Sequence, residues 1–131
     1  MHAKYVHTNL IAQDWKRLSD FYSNVFGCSI VPPERDYQGE ALDVGTGLKG
    51  ARLRGVHLRL PGYEGNGPTL EIYSYDSMES HPGTTVNRPG FGHIAFEVED
   101  VRTAAEAVKS HGGNNVGEIV TLTTKTGAQV T

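Results

Sequence analysis

Apolar and polar residues alternate from position 4 to 11. Tyr5, His7 and Asn9 fall on one side, and Val6, Thr8 and Leu10 on the other. That period of two predicts a strand. At Asp14 the period lengthens, and Trp15, Leu18, Tyr22 and Val25 share one helical face. Asp14 suits the N-cap, and Gly27 suits the left-handed residue that ends a helix near Phe26. Residues 28–32 read as a strand stopped by Pro32-Pro33. The Gly-rich, charged stretch 34–50 reads as a strand with a long loop, a candidate lid over substrate. Strands are predicted over 51–60 and 68–75, joined by a hairpin loop at 61–67. The order is βαβββ.

A polar connector, 76–90, contains Pro82, Gly83 and Pro89. A second unit then begins. It reads as a strand from Phe91 to Val98, a helix at about 101–111 capped by Asp100, and Gly112-Gly113. A strand at about 117–123, a turn at Lys125-Thr126-Gly127 and a new strand from Ala128 follow.

The two units echo one another. His7, Asp14 and Gly27 recur as His93, Asp100 and Gly113, each 86 residues later. Trp15, Leu18, Tyr22 and Val25 align with Val101, Ala104, Val108 and His111; only the last pair breaks the apolar match. A repeated strand–helix unit implies two halves about a pseudo-twofold axis. Such a fold brings a histidine from each first strand together, as a metal site requires. The same offset places an echo of Glu71 near position 157, beyond Thr131. The second half is therefore expected to lack its last strand or two, roughly 15–25 residues by the repeat offset. A shortened chain, an early stop, and a cup completed by a partner subunit all fit that expectation.

Composition narrows the setting. A chain of 131 residues suffices for one domain or for two small modules sharing a core. A net charge of −3 without a basic patch argues against nucleic acid. No apolar run approaches the ~20 residues that span a bilayer. Met1-His2-Ala3-Lys4 lacks a signal-peptide core, so a cytoplasmic protein is expected. Cys28 is the single cysteine and reads as a small buried hydrophobe.

Alternation sorts the candidate chemistry. Glu71 shares a face with Thr69 and Tyr73, opposite Leu70 and Ile72. His93 lies with Phe91, Ala95 and Glu97, opposite Ile94, Phe96 and Val98. Each candidate thus stands opposite an apolar face that can pack under helices. His57, between Val56 and Leu58, reads first as a plain strand position and second as a lining residue. Tyr5, Asn9, Tyr73 and Phe91 are further lining candidates; Tyr75 joins them more weakly. Arg52, Arg54 and Arg59 read as solvated charges. His2, His81 and His111 fall at a terminus, a connector and a helix end.

Four segments carry a resemblance: Val6-His7-Thr8-Asn9-Leu10, Phe21-Tyr22, Leu70-Glu71-Ile72-Tyr73, and Pro89-Gly90-Phe91-Gly92-His93-Ile94-Ala95-Phe96. The chain resembles the vicinal-oxygen-chelate superfamily of glyoxalases, bleomycin-resistance proteins and extradiol dioxygenases. The resemblance implies an α+β fold of paired βαβββ modules forming a cup-shaped sheet. The first module would span about 4–75 and an incomplete second one about 91–131, within a single domain. It implies a homodimer that takes a small-molecule substrate; the composition already argues against a nucleic-acid or membrane partner. It also implies a divalent metal (Zn, Ni, Co, Mn or Fe) on His7, Glu71 and His93. A fourth ligand, usually a glutamate on the last strand, has no counterpart here. The implied chemistry is that of a lyase or isomerase of the lactoylglutathione-lyase type. Such an enzyme removes a proton beside a carbonyl and stabilises an enediolate. Glu71 is the only module-end carboxylate available as ligand and base. Two departures weaken the thiol-conjugate version. Pro89 stands where some glyoxalases carry arginine, and Tyr75 where they carry asparagine. A non-catalytic binding protein of the bleomycin-resistance kind is the alternative, with an Fe(II) extradiol dioxygenase behind it.

Overall fold

The apolar runs around Val56-Leu58 and Leu70-Ile72 become the two central strands of a sheet. Val56, Leu58, Leu70 and Ile72 are almost wholly buried. In the computed structural model, residues 1–80, 83 and 85–131 are described, and they form two units, Met1–Gly92 and His93–Thr131. His81 and Pro82 of the connector lie outside the described residues.

The first unit contains β1 (His7–Ile11), α1 (Trp15–Phe26), β2 (Ser29–Gln38), α2 (Glu40–Thr46), β3 (Arg52–Arg59) and β4 (Thr69–Tyr75). The sheet order is β1-β4-β3-β2. β1 runs parallel to β4, and the other pairs are antiparallel. α1 packs against β3 and β4. Its ends follow the sequence reading. The Asp14 carboxylate accepts the Arg17 amide at 3.1 Å, and Gly27 sits at φ 69°. Ser74 ties the helix start to β4. Its hydroxyl accepts the Trp15 amide at 3.0 Å and donates to the Ala12 carbonyl at 2.7 Å. Cys28 is buried, and burial pushes its thiol pKa up.

Two expectations fail in this unit. Pro32-Pro33 does not stop β2, which continues to Gln38. The pairing slips between Val31 and Arg35, so the prolines occupy a bulge on an edge strand. There their missing amides cost no ladder bond. The 34–50 loop is also mostly ordered structure, because β2 gives way to α2. Glu40 and Asp43 suit that helix's N-terminal dipole. Gly39 supplies no side-chain cap and Gly45 lies inside the helix, which hid it. Asp43 then holds the following loop, accepting the amides of Gly50 at 2.7 Å and Ala51 at 2.8 Å.

The second unit contains α3 (Val101–Ser110) and a hairpin of β5 (Leu122–Thr123) and β6 (Gln129–Val130). The Asp100 carboxylate accepts the Thr103 amide at 2.6 Å. The strand expected at 91–98 does not form. Its alternation survives, with Ile94 and Phe96 half-buried and their neighbours exposed, but no ladder partner is present among the described residues. The strand expected over 117–123 contracts to two residues for the same reason. The hairpin turn and the start of β6 fall close to where the sequence places them.

Candidate functional site

The parallel pairing of β1 with β4 sets Asn9 opposite Glu71 and places His7 one step away on the same face. The antiparallel pairing of β3 with β4 sets His57 directly opposite Glu71. Cross-strand neighbours on one face are within side-chain reach. Four polar side chains from three strands therefore meet over the sheet, on the face away from Leu70, Ile72 and Val56.

Glu71 is the hub. Its Oε2 lies 3.2 Å from His7 Nε2 and accepts the Asn9 amide at 3.4 Å. Its Oε1 lies 3.0 Å from His57 Nε2. Glu71 and His57 are partly buried, while His7 is more open to solvent. His57 Nε2 is also 2.9 Å from the Tyr73 hydroxyl, and its Nδ1 is 3.4 Å from Thr69 Oγ1. The His7 and His57 rings meet edge to face, 6.2 Å between centroids.

The local electrostatics follow from this packing. Burial lowers the His57 pKa, outweighing the pull of Glu71; Arg35 and His7 add to the lowering. The imidazole is thus held toward its neutral form, and its Nε2 hydrogen bond is to the Tyr73 hydroxyl, with Glu71 Oε1 close by. Burial raises the Tyr73 hydroxyl to about 12, with Glu71 and then Tyr37 adding to the effect. Tyr73 therefore keeps its proton. Gly55 makes room for it. A Cβ at Gly55 would collide with the Tyr73 ring and the Ile72 carbonyl.

Arg52 and Arg54 point to the other face. Arg52 grips Asp36 through two hydrogen bonds, at 2.9 and 2.7 Å, and holds that carboxyl below its usual range. Arg54 pairs with Asp76. A cavity of about 880 Å³ opens where β1 and β4 end, lined by Ile11, Leu48, Tyr75 and Met78 among others. By strand alternation Ile11 and Tyr75 continue the face that carries Asn9 and Tyr73.

Of the sequence candidates, the structure brings together His7, Glu71, Asn9, His57 and Tyr73. Tyr5 is exposed and bonded to the Thr8 hydroxyl. His93 and Phe91 are exposed, His93 in the second unit and Phe91 just before it. Among the described residues, no three His, Cys, Asp or Glu side chains are arranged to hold one ion. Sequence reasoning underweighted His57. The signal was available: positions 57 and 71 are equidistant from the centre of the 61–67 hairpin loop.

These features define an α+β protein built on a βαβββ module, with imidazole and carboxylate groups gathered on the polar face of its sheet. The chain belongs to the Glyoxalase/Bleomycin resistance protein/Dioxygenase superfamily, whose model matches residues 4–130. A lactoylglutathione lyase of Neisseria meningitidis is 30% identical over 117 residues, covering 88% of this chain and 71% of that protein. A probable lactoylglutathione lyase of Vibrio parahaemolyticus is 27% identical over 112 residues, covering 85% and 68%. A glyoxalase family protein from Bacillus cereus superposes with a TM-score of 0.79 at 18% identity, covering 92% of this chain and 79% of that one. This last likeness establishes the fold.

Proposed function

We propose that the protein is a divalent-metal-dependent lyase or isomerase acting on a small substrate with vicinal oxygens. One observation carries the reading. His7 Nε2 and Glu71 Oε2, from strands far apart in sequence, are 3.2 Å apart on the polar face. That separation suits neighbouring ligands of one ion with bonds of about 2.0–2.2 Å. An imidazole and a carboxylate fit Zn, Ni, Co, Mn or Fe(II). His93 is proposed as a third ligand on its sequence pattern alone, and a homodimer is proposed with it. The named relatives support lyase chemistry.

A bound divalent ion supplies Lewis-acid stabilisation of negative charge on vicinal substrate oxygens. The remaining work falls to this chain. Glu71 is proposed as the carboxylate that moves the substrate proton; Asn9 donates to its Oε2, and His57 lies beside its Oε1. The cavity beside Ile11 and Tyr75 receives the body of the substrate. Solvent-exposed His7 leaves the approach to Glu71 open.

Elemental analysis of the dialysed protein beside Glu71→Gln tests this reading. About one Zn, Ni, Co, Mn or Fe per chain, lost in the variant, supports it. Iron would favour dioxygenase chemistry. No metal, even after reconstitution, would favour a binding protein of the bleomycin-resistance kind.

A further inference from the structure

We infer that Arg35 is an anion-binding residue of this site, and that the substrate carries a carboxylate remote from its vicinal oxygens. The inference deepens the proposed function and rests on it, because it takes the vicinal oxygens to lie at Glu71. It starts from the bulge in β2. Val31 pairs with His57 and Arg35 with Gly55, so four steps along β2 match two along β3. An unbulged strand would set Pro33 opposite Gly55. The bulge sets an arginine there instead, in the row of Gly55 and Tyr73, on the face that carries His57 and Glu71.

The bulge also holds the side chain. Arg35 Nη1 donates to the Val31 carbonyl at 3.4 Å and to the Pro33 carbonyl. The guanidinium therefore turns back toward the row of Val31, His57 and Glu71. Those carbonyls occupy Nη1 alone. Nε and Nη2 form an edge that can meet a carboxylate with two parallel hydrogen bonds, and they have no partner among the described residues. The charge is unmatched as well. Arg52 and Arg54 have Asp36 and Asp76, whereas half-buried Arg35 has no carboxylate within ion-pair reach among the described residues. Its field reaches the site: it adds to the lowering of the His57 pKa that burial leads, and it opposes the rise that burial imposes on Tyr73. A half-buried cation without a counter-ion favours an anionic ligand. Neighbouring strands lie about 4.8 Å apart, so β2 stands about 10 Å from β4, with β3 between. A carboxylate on Arg35 and vicinal oxygens at Glu71 thus need a chain of several bonds between them.

Two probes with the same head test this. 2-Oxoglutarate has a distal carboxylate, and 2-oxopentanoate has a methyl group in its place. Calorimetry measures the binding of each at fixed ionic strength, to Co(II)-loaded and to metal-free protein. 2-Oxoglutarate is expected to bind about tenfold more tightly than 2-oxopentanoate in both forms. Arg35→Gln is expected to erase that preference, and Arg35→Lys, which keeps the charge but not the two-pronged edge, to retain part of it. Arg59→Gln removes an exposed charge from the same face and is expected to leave the preference whole. Circular dichroism checks the fold of each variant. Wild type that binds the two probes equally, or binds neither, overturns the inference. So does a preference that survives Arg35→Gln, or one that Arg59→Gln abolishes. If Arg35→Gln does not fold, an undiminished preference in Arg35→Lys overturns it. Wild type that takes up no Co(II) defeats the metal reading alone, since the metal-free comparison still decides the role of Arg35.

Discussion

Residues 7–27 and 93–113 carry the same spacing of histidine, aspartate and glycine, yet they fold to different extents. Both copies make the helix. Asp14 and Asp100 each accept the amide three residues on, and α1 and α3 start at the same relative position. Only the first copy makes the strand. His7–Ile11 pairs with β4, whereas 93–98 is extended without a ladder partner among the described residues. The difference separates two kinds of information. A helix closes its hydrogen bonds within its own sequence. A strand closes them only with another strand, and alternation prescribes the faces but not the partner.

The comparison can be pressed hardest through the cores. Ile72→Ala empties a fully buried position in the first unit and is expected to cost about 2–5 kcal/mol. Leu122→Ala, in the exposed hairpin of the second, is expected to stay within about 0.5 kcal/mol. Urea unfolding followed by Trp15 fluorescence measures the first, and amide exchange measures the second. Equal losses would break the contrast. Next in size, Gly55→Ala is expected to cost about 1–3 kcal/mol by overpacking against the Ile72 carbonyl and the Tyr73 ring. A denaturant midpoint equal to wild type would show that β3 and β4 give way there without cost.

The caps probe what the two copies share. Asp14→Ala is expected to cost about 1 kcal/mol, read by the same urea titration. Asp100 carries a pKa lowered chiefly by the Thr103 amide. Its contribution is therefore present above its unfolded value of 3.8 and lost as pH falls through the lower folded value. The Thr103 amide proton shift should follow that titration in wild type and not in Asp100→Ala. The smallest effect concerns His57, whose pKa is lowered by burial below 6.5. The unfolded chain then binds more protons near that pH. Chelated wild type should lose stability as pH falls through 6.5, and His57→Gln should lose less, as urea midpoints across pH would show.

Much of the first unit was legible. The periods fixed α1, β3, β4 and their faces, and the hairpin loop fixed the register that opposes residues 57 and 71. The failures have physical causes. Pro32-Pro33 reads as a stop because a proline cannot donate to a ladder, but an edge strand with a bulge asks for no donation there. α2 is short and lacks a side-chain cap. The site was half legible. Alternation put His7 and Glu71 on polar faces, but their meeting depends on β1 lying beside β4. Residue spacing contains no such statement. His57 reads first as a plain strand position, because its neighbours Val56 and Leu58 point to the other face and do not say what it meets.

The pairing of β1 with β4 has a consequence for how the protein comes into being. His7 and Glu71 meet only after the chain between them has closed a long loop, whose entropy opposes early formation. β2, β3 and β4 can assemble first through near-neighbour antiparallel pairs. On this argument the first strand is expected to dock last, on the open edge of β4. A metal added during refolding would have little to grip until that step, so its capture would time the arrival of the N-terminal strand.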